Sequence, residues 1–262
     1  MTHLRIGVRL ESLGQPLRRA LEEAGRLGVA GVQADAVGDL APDILSQTGR
    51  RELRHLLRAQ NLELAALGCP LRRGLDLAHN QEARIDHVKK VLSLSFDLGP
   101  RLVIVQGGSI PADSETPAAR GLCEAVSALG RHADRVGAVL ALVTGLESAL
   151  ELARFLDRFD TGTLGASLDP ANMLIAGFDP VESGRTLGAR IKYVVARDTR
   201  QTGPNRSAEE VPLGHGDIDW MQLLGMLEEI EYRGWLTIAR DSGDSRLADV
   251  ASGVAILRRL GV

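Results

Sequence analysis

Eight short apolar runs, each followed by a longer stretch of helical period, constrain this chain more than anything else in it. The runs are Leu4 to Val8, Gly31 to Ala34, Leu62 to Leu67, Leu102 to Gln106, Val139 to Val143, Leu164 to Leu168, Ile191 to Ala196 and Trp235 to Ala239. Continuous runs this short suit strands buried on both faces of a parallel sheet, and parallel strands need crossovers of the kind the helical stretches supply. Eight units in 262 residues average about 33 residues each, room for a strand, a helix and two loops. The expectation is an α/β protein with one (β/α)8 barrel domain over residues 1–262.

The helical stretches carry start and stop signals. Pro16 suits the opening turn of the first, Leu17, Leu21, Ala24 and Leu27 recur on one face, and Gly28 suits its end. Asp217 or Asp219 can cap the helix whose buried stripe is Trp220, Leu223, Leu224 and Leu227. Asp179-Pro180 opens a short helix, and Ala248 to Leu260 closes the ring. Thr199 to Gly216, with Pro204, Asn205, Gly214 and Gly216, reads as one long irregular loop after the seventh strand.

Charge excludes several partners. Lys and Arg number 31 against 34 Asp and Glu, a net charge of -3, which gives no hold on nucleic acid or on an anionic membrane. Arg5, Arg9 and Glu11 interrupt any apolar leader near the start, and no apolar run reaches spanning length, so a cytoplasmic protein is expected. Cys69 and Cys123 are far apart, without a CxxC, and imply neither disulfide nor zinc. Cys69, in Leu67-Gly68-Cys69-Pro70, falls just after the third run, which leaves a reactive thiol open against a buried one.

In a parallel barrel the chemistry comes from the C-terminal strand ends. The polar residues there are few: Arg9 and Glu11, Gln33 and Asp35, Gln106 before Gly107-Gly108-Ser109, Asp169 and Asn172, Arg197 and Asp198, Arg240 and Asp241. The ligand-binding candidates are Gln106, Asp169, Asn172, Arg197 and Arg240, and among them Asp169, Arg197 and Asn172 are the candidates for catalysis. Gly107-Gly108-Ser109 reads as a turn rather than a phosphate cradle. His215, in Gly214-His215-Gly216, reads as a loop residue, and His55, His79, His87 and His132 fall on or beside outer helices.

Four segments, Leu168-Asp169-Pro170-Ala171-Asn172, Tyr193 to Asp198, Pro212 to Trp220 and Tyr232 to Ala239, resemble in order the xylose isomerase-like barrels that include sugar phosphate isomerases and epimerases. The resemblance implies one divalent cation held at Val143, Asp169, Val195 and Ala239, where the family has Glu, Asp, His and Glu. Of the four, this chain keeps the aspartate. Such cations need several oxygen or imidazole donors at about 2.0 to 2.6 Å, and valine and alanine offer none. The two glutamates are also the acid and base that the resemblance implies, so ligands and proton carriers are missing together. No metal and no other cofactor is expected.

Asp169 then needs another partner. The two-residue strand period puts Tyr193, Val195 and Arg197 on one face, so an Asp169–Arg197 ion pair is expected, with Arg240 the alternative donor and an Asx cap before Pro170 the alternative role. Three functions stay open: a relative without catalysis that binds a small polar or carbohydrate-like ligand or a partner; an enzyme using Asp169, Asp35, Glu11 or Cys69 without metal; and a sugar isomerase or epimerase with a displaced metal site.

Overall fold

The structure, a computed structural model, describes residues 4–111, 113, 115–203 and 207–262. Pro204 and Asn205 lie outside the described residues. The strands are β1 (Arg5–Arg9), β2 (Gly31–Asp35), β3 (Glu63–Cys69), β4 (Leu102–Val105), β5 (Val139–Val143), β6 (Leu164–Leu168), β7 (Ile191–Ala196), β8 (Asp198–Gln201), β9 (Ala208–Val211) and β10 (Trp235–Ile238). The helices are α1 (Leu17–Leu27), α2 (Gln47–Ala59), α3 (Gln81–Leu98), α4 (Pro117–Val136), α5 (Ala149–Leu156), α6 (Pro170–Ile175), α7 (Pro180–Leu187), α8 (Trp220–Glu229) and α9 (Arg246–Arg259).

All strands but β8 and β9 close into a barrel in the order β1-β10-β7-β6-β5-β4-β3-β2. Its ladders are parallel, with register shifts at Val32/Gln33 and Ala166/Ser167. The eight expected runs are the eight barrel strands, three with identical bounds and the rest with ends moved by at most two residues, so Gln106 and Ala239 fall just past β4 and β10. Gly28 ends α1 with φ +65°, and Asp219 caps α8 through the Gln222 N–H. No helix among the described residues is long and apolar enough to cross a membrane.

Side-chain alternation along each strand makes two cores. Val8, Val32, Leu67, Val103, Leu140, Leu168 and Leu236 belong to the larger core, shared with the helices. Full burial of each leucine contributes roughly 1.5–3 kcal/mol. Ala66, Leu102, Ile104, Ala141, Tyr193 and Trp235 form a second cluster, with Val139, Val143 and Val195 packed against it. A Cβ on Gly31 would lie 2.6 Å from the Trp235 ring and 2.6 Å from the Glu63 carbonyl, so only glycine admits the indole at that level. The Tyr193 hydroxyl is buried 2.6 Å from Thr237 Oγ1 and 3.2 Å from Gln33 Oε1, which closes the barrel below the mouth.

The segment expected to be irregular contains the antiparallel pair of β8 and β9. This ribbon has a largely exposed, charged face, so no apolar alternation marks it. One buried carboxylate anchors it: Asp198 accepts N–H groups from Gly214 at 2.8 Å and Gly216 at 3.2 Å, and the Trp220 indole N–H at 3.0 Å. A Cβ on Gly216 would fall 2.1 Å from Asp198 Oδ1, which explains the glycine and leaves His215 on the exposed outside of the turn.

Candidate functional site

A cavity of about 440 Å³ opens at the C-terminal end of the barrel, a size that suits a small ligand. Its two halves differ in chemistry. From β2 round through β1, β10 and β7 to β6 the wall is a chain of alternating charges. Asp35 Oδ2 lies 2.7 Å from Arg9 Nη2, and Arg9 Nη1 lies 2.6 Å from Asp241 Oδ1. The other oxygen of Asp241 lies 2.9 Å from Arg197 Nη1, and Arg197 Nη2 lies 3.2 Å from Asp169 Oδ2. Asp35 and Asp169 thus stand four strands apart, on diametrically opposite sides of the eight-stranded ring. Cys69, Pro70, Ile104, Val143 and Leu146 make the other half largely apolar, with Gln106 as its polar group.

Local structure sets each of these side chains. Asp169 is the N-cap of α6, accepting the Asn172 N–H at 3.0 Å, while its own N–H donates to Thr144 Oγ1 at 3.0 Å. Both expected roles therefore hold together: one oxygen caps the helix and the other meets Arg197. Asn172 Oδ1 accepts a hydrogen bond from Arg197 Nη2, and its Nδ2 donates to the Thr144 carbonyl at 3.2 Å. Across the mouth, Glu11 accepts the Asp35 N–H at 2.8 Å, and Gly68 makes room for the Asp35 carboxylate.

Electrostatics follow from burial. Desolvation pushes the Asp169 carboxyl up from the ordinary aspartate range, and Arg197 and the Asn172 N–H pull against it. Burial likewise pushes Glu11 up, helped by the charge of Asp35. Burial, helped by the charge of Asp35, pushes the Cys69 thiol up to about 12, which disfavours a thiolate near neutral pH.

Of the residues singled out from sequence, Gln106, Asp169, Asn172, Arg197, Val143, Val195 and Ala239 line the cavity. Arg240 is not on its wall and pairs away from Asp169, so it is not the alternative donor to that carboxylate. Ala239 and Asp241 face inward, so the residue between them points outward. There Arg240 Nε donates to Asp249 on α9 at 2.9 Å and Nη1 donates to the Glu210 carbonyl at 2.8 Å. Gly107 and Gly108 form a close-packed turn: the Leu75 N–H donates to the Gly107 carbonyl at 2.7 Å, and a Cβ on Gly108 would strike Asp76.

Arg9 and Asp241, the middle of the charge chain, were not singled out as ligand-binding residues. The two-residue period that places Ala239 inward also places Asp241 inward, and that signal was available. Glu210, on β9, holds the Asp241 loop by accepting the Asp241 and Ser242 N–H groups at 3.0 and 2.7 Å. No local sequence signal connects those segments.

Residues 21–260 match the family described as the xylose isomerase-like TIM barrel. The chain belongs to this family. An inosose dehydratase of Clostridium beijerinckii is 23% identical over 173 residues, 54% of this chain and 58% of that protein. One from Geobacillus kaustophilus is 29% identical over 109 residues, 36% of this chain and 35% of the relative. The chain thus spans little more than half of the first and about a third of the second. A xylose isomerase domain protein from Planctomyces limnophilus superposes with TM-score 0.89 at 26% identity, covering 98% of this chain and 97% of that one. A D-tagatose 3-epimerase-like protein shares the fold, with TM-score 0.81 at 18% identity and coverage of 98% and 97%.

The family resemblance implies a divalent cation at Asp169, with Val143, Val195 and Ala239 as the other ligand positions. The guanidinium of Arg197 already faces the Asp169 oxygen that the helix cap leaves free. Val143, Val195 and Ala239 line the same cavity with no donor atoms in their side chains. Among the described residues no three His, Cys, Asp or Glu side chains are grouped to hold a metal ion.

Proposed function

We propose that this chain is a metal-independent member of the xylose isomerase-like barrels that binds a small polar, carbohydrate-like ligand in the barrel mouth and has lost the metal-dependent chemistry of the family. The observation carrying this reading is the Arg197 guanidinium on Asp169, a fixed positive charge beside the one retained cation-ligand position. The mouth is otherwise suited to a polyhydroxylated ligand. Gln33, Asp35, Gln106 and Asn172 supply polar atoms for hydroxyl groups, and Ile104, Val143 and Val195 supply an apolar surface for C–H faces. The names of the relatives, inosose dehydratase and D-tagatose 3-epimerase-like protein, support a carbohydrate-like ligand.

The test is elemental analysis of purified protein with thermal melts in Mn²⁺ or Mg²⁺ and in a panel of ketoses and cyclic polyols. The expected result is no stoichiometric metal, no metal-induced stabilisation, and stabilisation by a ligand, worth about 2.7 kcal/mol at one hundred times its Kd. Stoichiometric metal, or several degrees of stabilisation by either ion, overturns the proposal.

A second reading, a metal-free acid–base enzyme, is favoured by the placement of Asp35 and Asp169 on opposite walls of one cavity. Turnover that survives EDTA and is lost in Asp35→Asn decides for it.

A further inference from the structure

Next to the mouth lies a second cavity of about 410 Å³, between the segment after β3 and the first two turns of α3. Pro70 lines both cavities and separates them. The titratable groups on the second wall are all basic: Arg72, Arg73 and Arg84, with His79 and His87. In a chain with net charge -3, this is a local concentration of positive charge.

The arginines there are of two kinds. Arg84 is structural, donating to the Leu77 carbonyl and, at 2.6 Å, to the His79 carbonyl, so it shapes the segment; its Nε is buried without a partner. Arg72 and Arg73 are exposed, and among the described residues neither has a hydrogen bond or an ion pair. Helix α3 begins on the same wall without a side-chain cap. Asn80, at its N-cap, has φ +55° and accepts no N–H through its side chain, so the Ala83 N–H lacks the acceptor that Thr116 gives the corresponding N–H of α4, while the Gln81 N–H donates to the Ala78 carbonyl at 3.1 Å.

We propose that this cavity is an anion site for a phosphoryl group, with Arg72 and Arg73 closing on the oxyanion. Guanidinium groups match phosphate oxygens in a forked geometry, and N–H groups at a helix start point the same way. The phosphoryl group has two sources: it is part of a ligand whose remainder reaches past Pro70 into the mouth, or it belongs to a molecule that binds beside the mouth independently.

The test is calorimetric titration with inorganic phosphate at low ionic strength, where charge interactions are least screened. Wild-type protein is expected to bind one phosphate, and Arg72→Ala/Arg73→Ala to weaken binding roughly tenfold or more. These exposed side chains make no hydrogen bond or ion pair among the described residues, so circular dichroism should be unchanged in the variant. Arg51→Ala/Arg233→Ala removes the same charge at exposed positions elsewhere and should leave affinity within about twofold if the site is built rather than diffuse. No binding by wild type, or equal loss in the control, overturns the proposal. Ribose 5-phosphate separates the sources. Affinity well above that of phosphate, with the surplus removed by Asn172→Ala, supports a ligand that spans both cavities; affinity equal to that of phosphate supports the independent site.

Discussion

Arg197 Nη2 stands 3.2 Å from Asp169 Oδ2, and Nη1 of the same guanidinium stands 2.9 Å from Asp241 Oδ2. Asp169 is 4% exposed. A carboxylate this buried needs a counter-charge, and here the counter-charge belongs to the chain itself.

Removing that counter-charge is therefore expected to destabilise the protein. Arg197→Ala should lower unfolding free energy by about 3 kcal/mol in urea titrations, since it strands a buried carboxylate. Adding Asp169→Asn should recover part of the loss, because the asparagine keeps an oxygen for the Asn172 N–H. A single-variant loss below about 0.5 kcal/mol would show the pair to be solvated.

Gly68 tests the far end of the charge chain. A Cβ there would fall 2.0 Å from Asp35 Oδ1 and must push the carboxylate away from Arg9. Gly68→Ala is expected to cost about 1–3 kcal/mol in thermal melts, the range for overpacking a filled site. Unchanged stability would mean that Asp35 can relocate freely.

Glu147 makes a pH prediction. Burial is the largest cause that pushes its carboxyl up to about 7, against the Ile110 N–H that favours the charged form, and its Oε2 is buried without a partner. A raised pKa means that the folded state holds the proton more tightly than the unfolded state. This contribution is present at low pH and lost as pH rises from 4.5 through about 7. Its loss is worth about 3 kcal/mol. In Glu147→Gln the corresponding slope should vanish, and parallel pH profiles for variant and wild type would refute the assignment.

The two cysteines should differ under alkylation. Cys69 is buried, with its thiol pushed up to about 12, whereas Cys123 is half-buried on α4. Iodoacetamide at pH 8 is expected to modify native protein at Cys123, and Cys69 after denaturation, as read by peptide mass mapping. Prompt labelling of native Cys69 would contradict its burial.

Much of the site was legible because strand alternation is local. Knowing that Val195 faces inward is enough to place Arg197 there and to bring it within reach of Asp169, the residue that follows β6. The same rule, carried one strand further, separates inward Asp241 from outward Arg240. The ribbon of β8 and β9 was illegible for a different reason. Its strands pair with each other at the surface, so Arg200, Gln201 and Glu209 carry no apolar pattern from which pairing can be read.

The sequence by itself determined the barrel and the apolar identity of three of the four mouth positions that the family resemblance marks. Both depend on residue type at short, regular spacing, which backbone geometry turns into facing. Only the tertiary structure decided how the remaining charges are spent. Arg9 and Asp241 are 232 residues apart along the chain and 2.6 Å apart in the mouth because β1 and β10 are the strands at which the ring closes. Which carboxylate neutralises which guanidinium is set by that closure and by the burial that makes pairing necessary.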